Sequence, residues 1–147
     1  WEEFAFHSVN ITCVPAQHSG TRMLWDKTPA CGYVLKSSDR SIYFSGDTGY
    51  GQFLKELGTR FSLDVALLPI GAYKPYEWFK NIHLHPTTAL RAFLDLQAKH
   101  LIPIHWGTFK ISDEPMKEPP FLLAREAERL GIKDRVHILD NGDRLVL

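Results

Sequence analysis

The turn around Asp47 is the first place in this sequence where residue types and spacing suggest chemistry. Residues 42–44 are β-branched or aromatic, which suits a strand, and Gly46 and Gly49 bracket Asp47 just after it. Glycine allows a sharp turn and a close approach to a ligand, so a carboxylate at this strand end is well placed to bind a metal. The alternative is that Asp47 caps a helix beginning near Gln52. The turn alone favours neither interpretation.

Histidines at the ends of other predicted elements favour the metal interpretation. The apolar, strand-like residues 101–105 end in His105, and His18 lies in a loop directly after the strand-like residues 10–15. Carboxylate and imidazole groups at equivalent strand ends are hard to explain by packing alone, so we predict a convergent metal site that includes Asp47. The histidines in ordinary surroundings are predicted to be surface or hydrogen-bonded residues: His7, His100 and His137.

The predicted ligand types narrow the choice of metal and reaction. Imidazole and carboxylate together suit zinc, and they also suit iron or manganese. Two-metal hydrolases commonly hold their ions about 3.5–4 Å apart, a spacing that one aspartate can bridge. Such a pair lowers the pKa of a bound water and stabilises charge on an attacked carbonyl or phosphoryl oxygen. We predict two divalent metal ions, with zinc as the first choice and iron or manganese as alternatives.

The composition indicates one domain without a nucleic-acid-binding surface. The 147 residues are 44% hydrophobic, and 17 basic residues balance 17 acidic ones. This balance predicts no nucleic-acid partner and no polybasic anchor, and no apolar run is long enough to span a bilayer. We expect the protein in the cytoplasm or peripheral to a membrane. Cys13 and Cys31 are interpreted as buried thiols in a reducing compartment, with a disulfide between them left open.

The predicted elements begin with three strands. Residues 10–15, 31–36 and 41–45 are strand-like, and their connections favour antiparallel pairing. Residues 24–29 are mixed in character and are expected to be irregular. A helix then begins near Gln52, and Gly58 is expected to end it, because glycine is common just past a helix C-terminus.

Helices and strands alternate in the rest of the chain. Residues 63–70 form an apolar run of strand length, whereas residues 73–79 are too aromatic and too interrupted by proline for a regular element. The order predicts an α/β fold, with one mixed sheet covered by helices on one face and the other face still needing a partner. The remaining predicted elements are a helix from Pro86, a strand over residues 101–105, a helix from Pro119 and a hairpin of residues 136–139 and 144–147 around Asn141-Gly142.

Four short motifs support a family resemblance. They read Pro-Ala-Gln-His at 15–18, Gly-Asp-Thr-Gly-Tyr at 46–50, Pro-Ile-Gly-Ala-Tyr at 69–73 and Ile-His-Trp-Gly-Thr-Phe at 104–109. Together they resemble the metallo-β-lactamase superfamily, in the branch that contains N-acyl-phosphatidylethanolamine-hydrolysing phospholipase D. Gly-Asp-Thr is shared widely in the superfamily, whereas the last two motifs are much more specific. The resemblance extends over residues 11–130.

The resemblance implies a duplicated αββα sandwich, of which residues 1–147 look like the C-terminal half. The family's His-x-His-x-Asp-His cluster, which comes from the N-terminal half and supplies most of the metal ligands, is absent. Since the chain begins at Trp1 without an initiator Met, we expect it to start inside a longer protein. We expect the missing half as a partner, or self-association into a homo-oligomer through the uncovered sheet face.

The resemblance also implies roles for individual residues. His18 would bind the first metal, Asp47 would bridge both ions at the catalytic centre, and His105 would bind the second. His83 matches a catalytic histidine that faces the substrate phosphate, and His85 receives no role. The loop over residues 73–79 would line the substrate entrance, where its aromatic residues could contact an acyl chain. Packing under a long loop is an equally weighted alternative for these aromatic residues: Tyr73, Tyr76, Trp78 and Phe79.

The function implied by this resemblance is metal-dependent hydrolysis of a phosphodiester. The expected substrate is N-acyl-phosphatidylethanolamine or a related lipid, as in phospholipase D-type phosphodiesterases. A lactonase or other ester hydrolase is the alternative within the same class, because the same metal core serves several bonds. A non-catalytic half-domain that binds a partner or self-associates is the alternative from another class. Because most metal ligands are missing, the isolated chain is expected to be inactive.

Overall fold

The computed structural model describes residues 1–18 and 29–147, which form one mixed sheet with helices. The expected loop after His18 and the expected irregular stretch at 24–29 fall largely outside the described residues. Six strands lie side by side in chain order, antiparallel from β1 to β4 and parallel from β4 to β6. Their bounds are β1 Glu3–Phe6, β2 Val9–Pro15, β3 Cys31–Lys36, β4 Ser41–Phe44, β5 Val65–Pro69 and β6 His100–Ile104.

Helices connect the parallel strands, as parallel pairing requires. In the described residues the helices are α1 Phe53–Arg60, α2 Tyr76–Phe79, α3 Pro86–Asp95 and α4 Glu118–Arg129, followed by a 3-10 helix, Lys133–Arg135. Pro86 and Pro119 lie in the first turns of α3 and α4, as the sequence predicted. No helix in the described part of the chain is long and apolar enough to cross a membrane.

The hydrophobic core lies between one face of the sheet and the three longer helices. Alternate strand residues such as Val34 and Tyr43 are buried on this face, because successive side chains of a strand point to opposite sides. The apolar faces of the helices complete one continuous cluster. Its helical members include Leu54, Leu57, Leu90, Phe93, Leu123 and Ala127. The one-sided α/β arrangement predicted from the sequence is therefore confirmed.

The opposite face of the sheet is also apolar but much less buried. Phe6 keeps 61% of its surface exposed, and Phe4, Tyr33 and Phe44 are exposed as well. The strand registers place further apolar side chains on this face: Ile11, Leu35, Ile42, Leu67 and Ile102. We call this surface the open face. None of the longer helices within residues 1–18 and 29–147 covers it.

The strand directions bring four chain segments to one edge of the sheet. β3 is antiparallel to both β2 and β4, so β2 and β4 run in the same direction. β5 and β6 continue that direction by parallel pairing. The carboxyl ends of β2, β4, β5 and β6 therefore lie at the same edge. The chain segments that follow these four strands carry the candidate ligands.

Two predictions about helices are wrong, and the first has a packing explanation. Gly58 does not end α1, which continues to Arg60. A Cβ atom at Gly58 would lie 2.4 Å from the Asp95 carbonyl oxygen, so this glycine permits close packing of α1 on the end of α3. Residues 73–79, predicted to lack a regular element, contain the single-turn helix α2.

The predictions for the two ends of the chain also need correction. β1 was not predicted, and it pairs with β2 at the edge of the sheet. The predicted C-terminal hairpin is absent, although the turn at Asn141-Gly142 exists, with Asp143 N–H donating to the Asp140 carbonyl at 3.0 Å. Val136 instead forms a bridge to Leu101 of β6. Pairing with the edge strand replaces the local hairpin.

The two cysteines are free thiols and are half-buried, not fully buried as predicted. Cys13 and Cys31 lie on the adjacent strands β2 and β3. The Cys31 thiol donates to the Tyr33 hydroxyl across 3.5 Å. The structure therefore contains no disulfide between them.

Candidate functional site

The four side chains singled out by the sequence lie together at the edge formed by the strand carboxyl ends. His83 stands between two other histidines, with ring centroids 5.0 Å from His18 and 5.3 Å from His105. The His105 Nε2 atom lies 3.4 Å from the Asp47 Oδ1 atom. One cluster thus contains His18 and His105, which lie 87 positions apart in the chain.

His18 is oriented by a backbone carbonyl. Its Nδ1 atom lies 2.9 Å from the carbonyl oxygen of Ile82. Because a carbonyl can only accept, Nδ1 carries the proton and donates, which leaves the lone pair on Nε2. A second hydrogen bond of this kind fixes both the tautomer and the ring orientation of metal-binding histidines. His18 is therefore prepared to bind a cation through Nε2.

Asp47 and His105 form a hydrogen-bonded pair in which each shifts the pKa of the other. The hydrogen bond with His105 lowers the pKa of Asp47 below its ordinary value, and burial opposes this only in part. The same hydrogen bond raises the pKa of His105.

No side chain caps α1, whose N-cap residue is Gln52, so the helix-capping alternative for Asp47 is wrong. The turn itself needs glycine, since Gly46 has a φ of 60°.

His83 is buried with only 7% of its surface exposed. Burial, helped by the neighbouring His105 and His18, lowers its pKa from 6.5 to about 4, so the ring is neutral at pH 7. Its Nδ1 atom has no hydrogen-bond partner among residues 1–18 and 29–147, and the same is true of the Nδ1 atom of His105. Buried polar atoms are rarely left without a partner in native structures. These two atoms are the observations that point to a ligand in this cluster.

The donor atoms fit a divalent metal by type but not by number. A separation of 3.4 Å between the Asp47 and His105 donors is compatible with both binding one ion at about 2.0–2.1 Å. Structural zinc commonly has four ligands, and catalytic zinc has three from the protein. Within residues 1–18 and 29–147, however, no group of three or more His, Cys, Asp or Glu side chains is arranged to hold one ion. His18, Asp47 and His105 thus form a partial ligand set.

Comparison with known proteins agrees with this geometry. A family model described as the Beta-lactamase superfamily domain matches residues 1–106. The chain belongs to the metallo-β-lactamase superfamily. The match contains all four clustered residues and all six strands of the described residues.

Relatives of this superfamily chain include named hydrolases. The mitochondrial N-acyl-phosphatidylethanolamine-hydrolyzing phospholipase D of Saccharomyces cerevisiae is 37% identical over 143 residues, covering 90% of this chain and 30% of that enzyme. A metal-dependent hydrolase of Methanopyrus kandleri is 34% identical over 140 residues, covering 92% of this chain and 55% of that protein. The chain therefore spans little more than half of the Methanopyrus protein and less than a third of the yeast enzyme.

A solved structure confirms the fold of this metallo-β-lactamase superfamily chain. Igni18, a metallo hydrolase from Ignicoccus hospitalis, superposes with a TM-score of 0.70 at 25% sequence identity. The superposition covers 92% of this chain and 52% of Igni18. The predicted α/β metallo-β-lactamase-like fold is thus confirmed for the described residues.

The aromatic residues predicted to line the entrance occupy different environments. Tyr73 is only 2% exposed, and its hydroxyl donates to Glu118 Oε1 at 2.7 Å, which supports the packing alternative for this residue. Trp78 is 77% exposed and Tyr76 is 50% exposed. The half-buried Phe79 ring contacts His83, with centroids 5.7 Å apart. The segment thus connects the protein surface to His83.

His85 has a structural role that agrees with its lack of an assigned function. The amide N–H of Thr87 donates to His85 Nδ1 at 3.2 Å, so His85 caps the N-terminus of α3. The His85 ring also packs against Tyr73 at a centroid distance of 4.6 Å. His85 and Tyr73 line a cavity of about 450 Å³ beside α2.

Glu114 is a buried residue near the site that sequence reasoning missed. Its carboxylate accepts hydrogen bonds from the Ala72 amide at 2.7 Å, the Lys74 amide at 3.0 Å and the Ser112 hydroxyl at 2.6 Å. These bonds fix the segment after β5, where Ala72 has a φ of 61°. Only the tertiary contact reveals this role, because in the sequence Glu114 lies in an acidic, Pro-rich loop like any other surface carboxylate.

A larger cavity lies on the other side of His105. Its volume is about 540 Å³, within the range of ligand sites in proteins. The walls are mixed in character, and Glu114 and Lys110 are among the polar residues. The apolar wall residues include Ile104, Trp106, Phe109, Ile111, Met116 and Leu139.

Stability of the metal-free protein is predicted to depend on pH through His83. Its folded pKa of about 4 lies below the unfolded value of 6.5, so between these values only the unfolded state binds the proton. The folded state therefore loses stability as pH falls from 6.5 to 4, and His83→Gln removes this loss. The free energy of unfolding is measured with urea in excess chelator. Between pH 7 and pH 4, it should fall by about 2–3 kcal/mol more for the wild type than for His83→Gln. If the free energy of unfolding changed with pH in the same way in both proteins, the lowered pKa of His83 would be contradicted.

Proposed function

We propose that the full-length protein is a metal-dependent hydrolase that cleaves a phosphodiester. The observation that carries this proposal is the convergence of His18, Asp47, His83 and His105 at one edge of the sheet. Superfamily membership and a 34% identical relative named as a metal-dependent hydrolase support it. A divalent ion at such a site supplies Lewis acidity and lowers the pKa of water.

His18, Asp47 and His105 are the residues proposed to hold the metal ions. Asp47 stays ionised because the hydrogen bond with His105 lowers its pKa. His18 offers Nε2, since its Nδ1 proton is engaged by Ile82. We propose zinc at two sites with Asp47 between them, because imidazole and carboxylate donors suit zinc. Iron and manganese are alternatives, because imidazole and carboxylate donors suit them as well.

His83 is proposed to bind the substrate phosphate. Its ring lies between His18 and His105 and is neutral, so it carries one N–H donor and one lone pair. A neutral donor in a buried position can hydrogen-bond a phosphate oxygen without adding a charge that would repel the neighbouring cations. This role needs no direct contact of His83 with a metal.

The proposed substrate is N-acyl-phosphatidylethanolamine or a related phospholipid. The support is the 37% identical yeast phospholipase D and the motifs shared with that branch at residues 69–73 and 104–109. Tyr76 and Trp78 are exposed near His83, where their rings are available to contact an acyl chain. An enzyme with such a substrate would work at a membrane surface. A lactone or simple ester is the competing substrate class.

The rest of the metallo-β-lactamase domain is the proposed partner of this chain. The ligand set of His18, Asp47 and His105 is partial, and the chain spans only 30% of the yeast relative. The open face is apolar and suited to packing against a second sheet, as in sandwich folds. We therefore propose that residues 1–147 are the C-terminal half of the domain and that the other half supplies the remaining ligands.

Metal analysis of the full-length protein tests the ligand assignment. If Asp47 bridges two ions, Asp47→Asn should lower occupancy at both and abolish most activity, whereas His105→Ala should empty mainly one. Elemental analysis after dialysis gives the metal content directly. Thr88→Ala, a change in α3 outside the cluster, serves as the control. Full two-metal occupancy in Asp47→Asn would show that Asp47 does not bridge.

Substrate comparison tests the role of His83. His83→Ala should reduce phosphodiester turnover by about 10²–10³-fold, as expected when a donor to the reacting group is removed. Metal content should stay unchanged, and hydrolysis of an uncharged lactone should fall much less. Equal losses on both substrates would argue against a phosphate-specific role. Loss of metal in this variant would make His83 a ligand instead.

The isolated chain is predicted to be inactive and to associate. Each ion would keep at most two protein ligands from His18, Asp47 and His105, so metal binding should be weak. The open face, with Phe4, Phe6 and Phe44 exposed, favours self-association or binding to the other half of the domain. Sedimentation analysis combined with metal analysis and a phosphodiesterase assay measures all three properties. A monomer with two tightly bound zinc ions and phosphodiesterase activity would overturn the partial-site proposal.

A further inference from the structure

Gln17, the residue directly before His18, connects three loops through three hydrogen bonds. Its amide N–H donates to Thr48 Oγ1 at 2.9 Å, and its carbonyl accepts from the Gly49 amide at 2.7 Å. Its side-chain Nε2 atom donates to the Asn81 carbonyl at 2.8 Å. The first two bonds join the His18 loop to the Asp47 turn. The third joins it to the segment that precedes His83.

These loops are in such close contact that glycine is required at the junction. A Cβ atom at Gly49 would lie 2.3 Å from the Asn81 carbonyl oxygen, and one at Gly51 would lie 2.9 Å from Gln17 Oε1. Thr48 is fully buried, and its hydroxyl donates to the Gly49 carbonyl at 2.9 Å while it accepts from Gln17. The Asp47 turn is thus held by its backbone against the other two loops.

The hydrogen bond between Gln17 and Asn81 lies next to the groups that position His18 and His83. The next residue, Ile82, provides the carbonyl that orients His18, and His83 follows it. The amide groups of Ile82 and His83 both donate to the Phe79 carbonyl, at 2.9 Å and 2.8 Å, so this segment forms a tight turn. A shift of the Asn81 carbonyl would therefore move the acceptor of His18 and the backbone of His83 together.

We propose that Gln17 is a positioning residue that sets the relative placement of His18, Asp47 and His83 for metal binding. The proposal rests on the proposed function, because it assigns His18 and Asp47 as metal ligands. Gln17 acts through these residues and touches no substrate. Its side chain is the part that carries the inference, since the backbone bonds to Thr48 and Gly49 would persist in any variant.

The exposure of Gln17 separates this role from a general contribution to stability. The residue is exposed, and exposed side chains outside special features usually change stability by at most about 0.5 kcal/mol. Removal of residues that orient metal ligands typically weakens metal affinity by about 10–100-fold. Loss of metal affinity without loss of stability therefore identifies a positioning residue.

Gln17→Met in the full-length protein is the variant that tests the proposal. Methionine has a similar length and no charge, but it cannot donate to the Asn81 carbonyl. Gln52→Met is the matched control, because Gln52 is also exposed, lies near the Asp47 turn and makes no side-chain cap bond to α1. Three quantities are measured for each protein: the zinc dissociation constant by chelator competition, the hydrogen exchange of the Ile82 and His83 amides, and the midpoint of thermal unfolding.

The expected result is specific to Gln17→Met. Zinc should bind about 10–100-fold more weakly, exchange at Ile82 and His83 should accelerate, and the unfolding midpoint of the zinc-free protein should stay that of the wild type. Gln52→Met should match the wild type in all three. Wild-type zinc affinity in Gln17→Met would overturn the proposal, whether or not exchange changes. So would a loss of affinity accompanied by lower stability and faster exchange throughout the protein.

Failure of the proposed function gives a different pattern from failure of this inference. If the wild-type protein itself binds no zinc tightly, the metal-site proposal is wrong, and the positioning role falls with it. If the wild type binds zinc and only the Gln17 variant fails to show weaker binding, the metal site stands and Gln17 has no positioning role.

Discussion

The shared direction of β2, β4, β5 and β6 is the constraint on which the candidate site depends. Helical connections make parallel pairing of the last three strands possible, and the β3 return strand gives β2 the same direction. All four carboxyl ends then meet at one edge. His18, Asp47 and His105 come together because each follows one of these strands, although the intervening sequences have unrelated lengths. Burial of one sheet face under α1, α3 and α4 keeps this arrangement in place.

The cluster combines mutual pKa shifts with buried polar atoms that lack partners within the described residues. The cluster holds three imidazole rings and one carboxylate, and two of the ring nitrogens are buried without a hydrogen-bond partner in the part of the chain that the structure describes. The hydrogen bond between His105 and Asp47 raises the pKa of His105 and lowers that of Asp47. His83 stays neutral because burial and its neighbours disfavour a further positive charge. The site is thus arranged for one or more cations held near Asp47, with a neutral donor beside them.

The open face and the partial ligand set have the same structural explanation. A sheet with helices on one side and apolar residues on the other is half of a layered fold, since both apolar faces need cover. The ligands from this chain are likewise fewer than a tight metal site needs. Superfamily membership, together with coverage of about half of the Igni18 structure, connects the two observations. Under the proposed function, one segment, the other half of the domain, would supply both the cover and the remaining ligands.

Local patterns in the sequence were sufficient for five of the six strands in the described residues, for the proline-started helices and for the choice of the three candidate ligands. Those features depend on side-chain type, on glycine at a turn and on short motifs, all of which act over a few residues. Tertiary structure alone decided the rest. Gly58 looked like a helix end but serves close packing against α3, and the C-terminal turn lost its hairpin to pairing with β6. The roles of Gln17 and Glu114 arise from hydrogen bonds to backbone atoms far away in the chain, which no local pattern encodes.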